Sequence, residues 1–253
     1  MNRCFLSRKY ECPGECKYCF GKWDSYKKFP HRDIFEDELI IYPNCDGDIF
    51  DEYFDETIEY VKSLSNKNIS ISISTKFNIT DIQLKKLKDL HDHIYVHNNG
   101  ILKFSVSFSC ENGLPFYEGN TATYKERINL MRRIYEYNIP SIVLIKPILP
   151  FVDITEYYKI IDDTIGYCPY YILGDLYISK ETSFYKDYIE GKYHIGSREV
   201  SWNGSNGKWN VVEDIQKKNA INTYILSKGG TPFNSDLDGV IYLREQRFNG
   251  GKI

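Results

Sequence analysis

The sequence predicts an α/β fold, namely a partial (β/α)6 TIM-type barrel followed by a C-terminal loop-and-helix extension. Short β-branched or aromatic runs alternate with amphipathic segments of helical length through most of the chain, which is typical of βα units around a parallel sheet. With 253 residues, 42% of them hydrophobic, the chain can bury a sizeable core. In barrels of this type, functional groups gather after the carboxyl ends of the strands.

Six strands are predicted. Residues 69–75, which read I-S-I-S-I-S-T, alternate between apolar and polar side chains as a strand with one buried face does. The predicted strands cover residues 3–8, 38–43, 69–75, 102–109, 141–147 and 170–178.

Helices are predicted between these strands, where apolar side chains recur near helical spacing. Thr80 or Asp81 is the expected N-cap of the second helix, and Pro140 marks the start of the strand after the third. The predicted helices cover residues 51–65, 80–92, 122–137 and 153–165.

The last third of the chain has a different composition. Residues 190–210 are rich in Gly, Ser, Asn, Trp and Tyr and predict an irregular loop that closes one end of the barrel. A helix is expected at 213–228, and the tail at 247–252 is expected to be loosely held. We therefore divide the chain into a barrel core, residues 1–180, and an extension, residues 181–253.

Charge and hydropathy narrow the class of protein. The sequence contains no apolar run long enough to span a membrane and no apolar signal core, which indicates a soluble, cytoplasmic protein without a membrane partner. The net charge of −3 does not favour nucleic acid as a partner. Residues 1–32 nevertheless hold eight Lys or Arg against three acids, so they form either a solvated basic face or a basic lip for an anionic substrate.

Three of the seven cysteines lie in the stretch E-C-P-G-E-C-K-Y-C-F. Cys12, Cys16 and Cys19 form a C-x3-C-x2-C pattern after the first predicted strand, in a run that Pro and Gly keep from being helical. Such thiolates suit zinc, which needs a fourth ligand such as Cys4 or His31, or an iron–sulfur cluster with one iron left open. Cys4 lies within a predicted strand, where a buried side chain is the simpler interpretation.

This pattern resembles the signature of the radical SAM superfamily, C-x3-C-x-aromatic-C, with Tyr18 at the aromatic position. The resemblance implies that Cys12, Cys16 and Cys19 hold a [4Fe–4S] cluster whose fourth iron binds S-adenosyl-L-methionine. Reduction would then split this cofactor into methionine and a 5′-deoxyadenosyl radical. It also implies a small electron-donor protein, such as flavodoxin or ferredoxin, as a partner.

Roughly residues 8–180 are also similar to the spore photoproduct lyase-like branch of that superfamily. The T-K pair that ends the third strand, the E-G-N stretch through Arg127 and the later K-P-I-L-P run carry this resemblance. It implies a salt bridge from Lys76 to the cofactor's carboxylate. The other cofactor-binding residues that it implies are Asp46 or Asp48 for the ammonium, Ser107 and Ser109 for the carboxylate or ribose, and Ile148 and Pro150 for the adenine.

Each of these positions also has a structural interpretation. Lys76 would be a surface lysine at a strand end, the two serines would face solvent, and Asp46 and Asp48 would belong to a turn. Glu118 and Arg127 either form an ion pair across the helix start or contact substrate, and the structural ion pair is the favoured interpretation. Cys110, after the fourth strand, is the candidate hydrogen donor ahead of Cys45 and Cys168, although a buried, inert thiol is the alternative for all three.

The sequence therefore favours a radical SAM enzyme that abstracts hydrogen from an organic substrate such as a nucleoside, nucleotide or nucleic acid. The alternatives are a DNA photoproduct repair lyase of the same superfamily, a zinc-stabilised binding protein without catalysis, and a degenerate radical SAM fold kept for binding. Aromatic side chains of the extension either stack a base or cap the barrel core. These are Tyr185, Tyr188, Tyr193, Trp202 and Trp209.

Overall fold

A computed structural model describes residues 3–29, 39–64, 69–97, 100–200 and 207–248. It contains a curled sheet of seven parallel strands and a second sheet of three strands. The strands are β1 (Arg3–Phe5), β2 (Ile40–Tyr42), β3 (Ser70–Thr75), β4 (Leu102–Phe108), β5 (Ser141–Ile145), β6 (Tyr170–Leu173), β7 (Leu176–Ile178), β8 (Gly196–Val200), β9 (Gly207–Val212) and β10 (Thr231–Phe233). The helices are α1 (Phe54–Leu64), α2 (Asp81–His97), α3 (Leu114–Glu118), α4 (Tyr124–Glu136), α5 (Ile154–Thr164), α6 (Ser183–Tyr188), α7 (Ile215–Ser227) and α8 (Asp236–Phe248).

The main sheet has the order β1-β2-β3-β4-β5-β6-β10, and a helix follows most of its strands. This arrangement confirms the predicted α/β fold with a partial barrel. The sheet has seven strands rather than the six predicted, because β10 pairs in parallel with β6. The division at residue 180 stays a prediction, although a strand from beyond that position joins the barrel sheet.

Strand alternation gives the main sheet two different faces. On β3 and β4, Ile73 and Phe104 face the core that α1, α2, α4 and α5 cover. Ser72, Lys103 and Ser105 alternate with them and lie on the opposite, inner face. The inner face of the barrel is therefore polar on these two strands.

Helix α8 covers part of the inner face. Val240 and Leu243 pack against Ile142 and Ile172 of the sheet in a separate apolar cluster. Gly239 allows the close approach, since a Cβ atom there would lie 2.5 Å from the Cδ1 atom of Ile142. The C-terminal helix thus fills part of the space that an open half-barrel would leave to solvent, and Ser74 and Lys146 stay exposed.

Polar contacts hold both ends of α8. Asp236 accepts a hydrogen bond from Ser72 at 3.0 Å and forms an ion pair with Lys103 at 2.5 Å. At the other end, Arg247 donates to the carbonyl of Gly100 at 2.5 Å. The prediction of a loose tail is therefore wrong for Arg247, and residues 249–252 lie outside the described residues.

The structure confirms the predicted helices within a few residues, except that α2 continues to His97. Thr80 caps this helix, because its hydroxyl accepts from the Gln83 amide at 3.2 Å and the Gln83 side chain accepts from the Thr80 amide at 2.9 Å. Among the described helices, none combines the length and hydropathy needed to cross a membrane.

Three strand predictions need correction. The first strand ends at Phe5 rather than at residue 8, because the chain turns there into the cysteine loop. The predicted strand 170–178 is two strands, with Gly174 at the change of direction between β6 and β7. The loop predicted at 190–210 contains β8 and β9, which pair antiparallel with each other, while β9 also pairs with β7.

Candidate active site at the cysteine loop

The cysteine loop follows β1 and folds over the carboxyl ends of the neighbouring strands. The Cys12 sulfur accepts a hydrogen bond from the Asp48 amide at 3.3 Å, and the Cys19 amide donates to the Cys16 carbonyl at 3.2 Å. Gly21 stands beside the Cys19 sulfur, and a Cβ atom there would lie only 2.9 Å from the Asp46 carbonyl. The loop is thus wrapped tightly around its thiols.

The three thiols share one electrostatic environment. Burial raises the pKa of Cys16 to about 12 and also raises the pKa of Cys19, and the neighbouring cysteines add to both shifts. Lys76 acts in the opposite direction on both thiols. A bound metal centre would ionise thiols in this setting, since coordination removes the proton outright.

The side chains around the cysteine loop bear on the two alternatives, a single zinc ion and an iron–sulfur cluster. Among the residues that the structure describes, no three His, Cys, Asp or Glu side chains surround a point that would fit one metal ion. Cys4 packs with Leu6, Ile41 and Ile69, apart from the core that Cys16 contacts, and His31 lies outside the described ranges. Cys12 and Cys19 both act on the Cys16 thiol, so the three thiols lie close together, and an iron–sulfur cluster can take three thiolates and leave one iron open.

The loop rests on the end of α3. Lys17 donates its amide to the Tyr117 carbonyl at 2.8 Å. Gly119, with a φ angle of +50°, leaves room for Glu15, because a Cβ atom there would lie 2.4 Å from that of Glu15. Tyr18, the aromatic residue of the cysteine pattern, donates its hydroxyl to Glu118.

Glu118 is the centre of a buried hydrogen-bond network. Besides Tyr18, its carboxylate accepts from Lys76 at 2.7 Å, Ser109 at 2.7 Å and Arg127 at 2.5 Å. Glu118 and Arg127 are both fully buried, so the structure confirms their ion pair as a structural one. One carboxylate thereby joins the cysteine loop to the ends of β3 and β4 and to α4.

The charges of this network are mutually stabilised. Burial alone would raise the pKa of Glu118, but Lys76 and Arg127 outweigh it and hold that pKa at about 2. Arg127 also donates to the carbonyls of Ser107 at 2.6 Å and Ala122 at 3.1 Å. The Glu118 carboxylate is therefore ionised over the physiological pH range.

Lys76 lies beside the cysteine loop, and its ammonium is already engaged. Besides Glu118, it contacts the Tyr18 hydroxyl at 3.1 Å and the Lys146 carbonyl at 3.4 Å. About a fifth of its side chain is exposed. The predicted contact with the cofactor's carboxylate would use this exposed part of Lys76.

The two candidate acids after β2 occupy different environments. Asp48 is buried and accepts from the Thr75 hydroxyl at 2.8 Å and from the Lys76 amide at 2.7 Å, so it fastens the β2 loop to the end of β3. Burial raises its pKa despite these donors. Asp46 accepts from the Arg8 amide at 2.8 Å and the Tyr26 hydroxyl at 3.2 Å. Their predicted role toward the cofactor's ammonium stays a prediction.

Four further candidates lie near the ends of β4 and β5. Ser107 is buried and donates to the Lys146 carbonyl at 3.1 Å, while Ser109 is bonded to Glu118. Ile148 is buried in the main core, and Pro150 borders a groove of about 280 Å³ that Tyr193 also lines. The predicted adenine contacts of Ile148 and Pro150 remain predictions.

The remaining cysteines differ in position. Cys110 is fully buried, and burial raises its pKa to about 12, so it carries its hydrogen at neutral pH. Cys168 donates to the Ser141 carbonyl at 3.2 Å, at the end of the sheet opposite the cysteine loop. Burial also raises the pKa of Cys45. Of the three, Cys110 lies in the core beside the Glu118 network.

The predicted aromatic residues of the extension mostly cap the core. Tyr185 is buried in the main core, and Tyr188 and Tyr193 pack against it. Trp209 instead meets Phe20 and Trp23 after the cysteine loop, at ring distances of 5.5 and 5.1 Å. Trp202 lies outside the described ranges.

Sequence reasoning missed two features of the site. It interpreted Glu118 as the partner of Arg127 or as a substrate contact, whereas four side chains donate to it. It also gave no role to Lys146. This residue follows β5 and continues the alternation of Ile142 and Leu144, which lie on the inner face, and that alternation is visible in the sequence.

The fold and the site together define one class of protein, a curled parallel half-barrel with a three-cysteine loop after its first strand. No family model matches the chain. An uncharacterized protein of Methanocaldococcus jannaschii is 27% identical over 204 residues, which cover 72% of this chain and 73% of that protein.

Among solved structures, a spore photoproduct lyase variant matches with a TM-score of 0.58 and 13% identity, over 86% of this chain and 70% of the lyase. Another variant, with bound AdoMet and dinucleoside spore photoproduct, matches with a TM-score of 0.55 and 10% identity over the same shares of both chains. SuiB of Streptococcus suis, bound to its precursor peptide SuiA, matches at 0.57 and 12% identity over 93% of this chain and 49% of SuiB. The chain thus shares the fold of spore photoproduct lyase and of the matching part of SuiB, and the resemblance predicted from sequence is confirmed at the level of the fold.

Proposed function

We propose that this protein is a radical S-adenosyl-L-methionine enzyme in which Cys12, Cys16 and Cys19 hold a [4Fe–4S] cluster. The observation that carries the proposal is the seating of the three-cysteine loop at the carboxyl ends of a parallel half-barrel. When bound, the cluster and cofactor supply a 5′-deoxyadenosyl radical that abstracts hydrogen from an organic substrate.

The chain's own residues would position these groups. Glu118 holds Tyr18 and Lys76 in fixed places, so that the cysteine loop and the exposed part of the lysine face the same space. Cys110 keeps its hydrogen at neutral pH, but it is fully buried in the main core, which favours the inert thiol over the hydrogen donor as its role. The contacts of Trp209 with Phe20 and Trp23 fasten the extension to the segment after the cysteine loop.

The fold alone does not identify the substrate. One structural neighbour binds a dinucleoside photoproduct and another a precursor peptide, although both match this chain at similar TM-scores. DNA photoproduct repair is the second candidate within the class, and the net charge of −3 disfavours it. A small electron-donor protein, such as flavodoxin or ferredoxin, is part of the proposal.

Anaerobic reconstitution followed by a cleavage assay tests the proposal. We expect a brown protein with about four iron and four sulfide per chain that releases 5′-deoxyadenosine from S-adenosyl-L-methionine when reduced. Cys16→Ala should abolish both properties. Cys168→Ser, which changes a cysteine at the opposite end of the sheet, should keep them. A colourless protein that binds one zinc and never yields 5′-deoxyadenosine would exclude this function.

A further inference from the structure

The ammonium group of Lys146 lies on the inner face of the barrel. Lys146 follows β5 on the same side of the sheet as Ile142 and Leu144, which α8 contacts. Its stem crosses Gly174, where a Cβ atom would lie 2.3 Å from the Lys146 Cγ atom and 2.7 Å from Cδ. The glycine thus gives the lysine a fixed path into the barrel.

Lys146 is solvent-accessible, and so is Ser74 on the inner side of β3. Desolvation lowers the pKa of Lys146, Lys103 and Lys76 act in the same direction, and Asp236 and Asp175 act in the opposite direction. Solvent therefore reaches the inner face near the carboxyl ends of β3 and β5. No hydrogen bond or ion pair of the Lys146 ammonium is found among the described residues.

The neighbouring carboxylates are already paired with other cations. Asp236 is bound to Lys103 at 2.5 Å. Asp175 is bound to Arg198 at 2.8 Å and to Lys218 at 3.2 Å. Glu118, whose partner Lys76 also contacts the Lys146 carbonyl, has its two cations in the network beneath the cysteine loop. The charge of Lys146 is therefore left for a group that the protein does not supply.

A second group on the same face also lacks a partner. Ser105 is fully buried, and its hydroxyl has no hydrogen-bond partner. It lies on β4 between Lys103 and Ser107, all three on the inner side of the strand. Its neighbour across the sheet is Ser74 of β3, an exposed residue on the same face. Buried hydroxyls are rarely left unsatisfied, so Ser105 leaves a free donor on this face, next to the exposed Ser74.

We propose that Lys146, with the serine hydroxyls of the inner face, binds an anionic group of the organic substrate, a phosphate or a carboxylate. This inference rests on the proposed function, since it assigns the substrate to the space inside the barrel beneath the cofactor. An ammonium contacts such an anion as a point charge, and the serines donate to its oxygens.

Titration of inorganic phosphate and of acetate into the reconstituted protein, saturated with S-adenosyl-L-methionine and followed by calorimetry, tests the proposal. The bound cofactor keeps its own carboxylate position occupied. We expect millimolar binding of one or both anions, weakened about tenfold or more in Lys146→Met. Lys146→Arg should retain binding, and Lys125→Met, which removes an exposed lysine of α4, should match the parent. A preference for phosphate over acetate, or the reverse, identifies the anionic group.

A further variant separates the position of the lysine from its charge. Gly174→Ala keeps the ammonium but displaces its stem, so it should also weaken anion binding. Thermal unfolding of each variant checks that the fold is retained. Equal affinity in the parent and in Lys146→Met, or no binding of either anion by the parent, would overturn the proposal. The same titrations without the cofactor show whether anion binding depends on the cofactor. Iron content and cofactor cleavage report separately on the proposed function, so its failure is distinct from a failure of anion binding.

Discussion

Replacement of Glu118 by glutamine removes the charge at the centre of the network beneath the cysteine loop. Glutamine has nearly the same shape, but it leaves the guanidinium of Arg127 and the ammonium of Lys76 without their shared anion. Arg127 is fully buried, so water cannot take the place of the carboxylate. We therefore expect Glu118→Gln to destabilise the fold and to loosen the contact with Tyr18.

The size of this effect follows from the structure. A fall in the pKa of Glu118 from 4.5 to about 2 corresponds to about 3 kcal/mol of folding free energy at neutral pH. Removal of one partner of a buried ion pair costs about 3–5 kcal/mol, which agrees with this value. For a chain of this size, a loss of 3 kcal/mol lowers the midpoint of thermal unfolding by roughly 6–12 °C.

The pH dependence has a defined sign. Because the pKa of Glu118 lies lower in the folded than in the unfolded state, its stabilising contribution is complete above about pH 4.5 and is lost as the pH falls toward 2. The difference in the free energy of unfolding between the parent and Glu118→Gln should therefore shrink over that interval. Urea unfolding at a series of pH values measures it.

Glu136→Gln is the matched control. Glu136 pairs with Arg132 at 3.5 Å on the surface, where both side chains are about half exposed, so the cost should stay below about 1 kcal/mol. An equally small cost for Glu118→Gln would refute the role of Glu118 as the charged centre of the network.

Three further substitutions test other parts of the structure. Gly21→Ala should reduce the iron bound after reconstitution, because its new Cβ atom would press on the backbone beside the cysteine loop, whereas Gly166→Ala, with open space around it, should bind iron as the parent does. Thr123→Ala removes the capping box of α4 and should cost about 1 kcal/mol in urea unfolding. Lys103→Met leaves Asp236 without its cation and should cost about 2–4 kcal/mol, with faster tryptic cleavage in α8.

For each of the three substitutions, the opposite result would contradict the structural interpretation that it tests. Full iron binding by Gly21→Ala would show that the loop has room to move. A neutral Thr123→Ala would mean that packing alone fixes the start of α4. Unchanged proteolysis of Lys103→Met would show that apolar contacts hold α8 without the ion pair.

The sequence predicted those elements whose pattern is local. The alternation in 69–75 and the helical spacing in 122–137 report directly on neighbours along the chain, and both elements lie where predicted. Helix α8 was missed because Gly239 disfavours a helix in isolation. Only the close approach of α8 to Ile142 explains why a glycine stands at this position. Strands β8 and β9 were likewise hidden in a stretch rich in Gly, Ser and Asn, since their stability comes from pairing with each other.

The residues of the site also divide into those that the sequence alone singles out and those that only the fold brings together. The spacing of the cysteines and the position of Tyr18 are properties of one short segment, so the sequence was enough to single them out. Glu118 receives hydrogen bonds from residues 18, 76, 109 and 127, which only the fold brings together. No spacing rule predicts such a network.

The electron paramagnetic resonance spectrum of the reduced, reconstituted protein, recorded with and without S-adenosyl-L-methionine, tests most directly whether three cysteines hold a cluster with one open iron. We predict the signal of a reduced [4Fe–4S] cluster that changes when the cofactor is added, and no such signal in Cys12→Ala. A parent protein without a cluster signal, or with a signal that the cofactor leaves unchanged, would contradict the assignment of Cys12, Cys16 and Cys19.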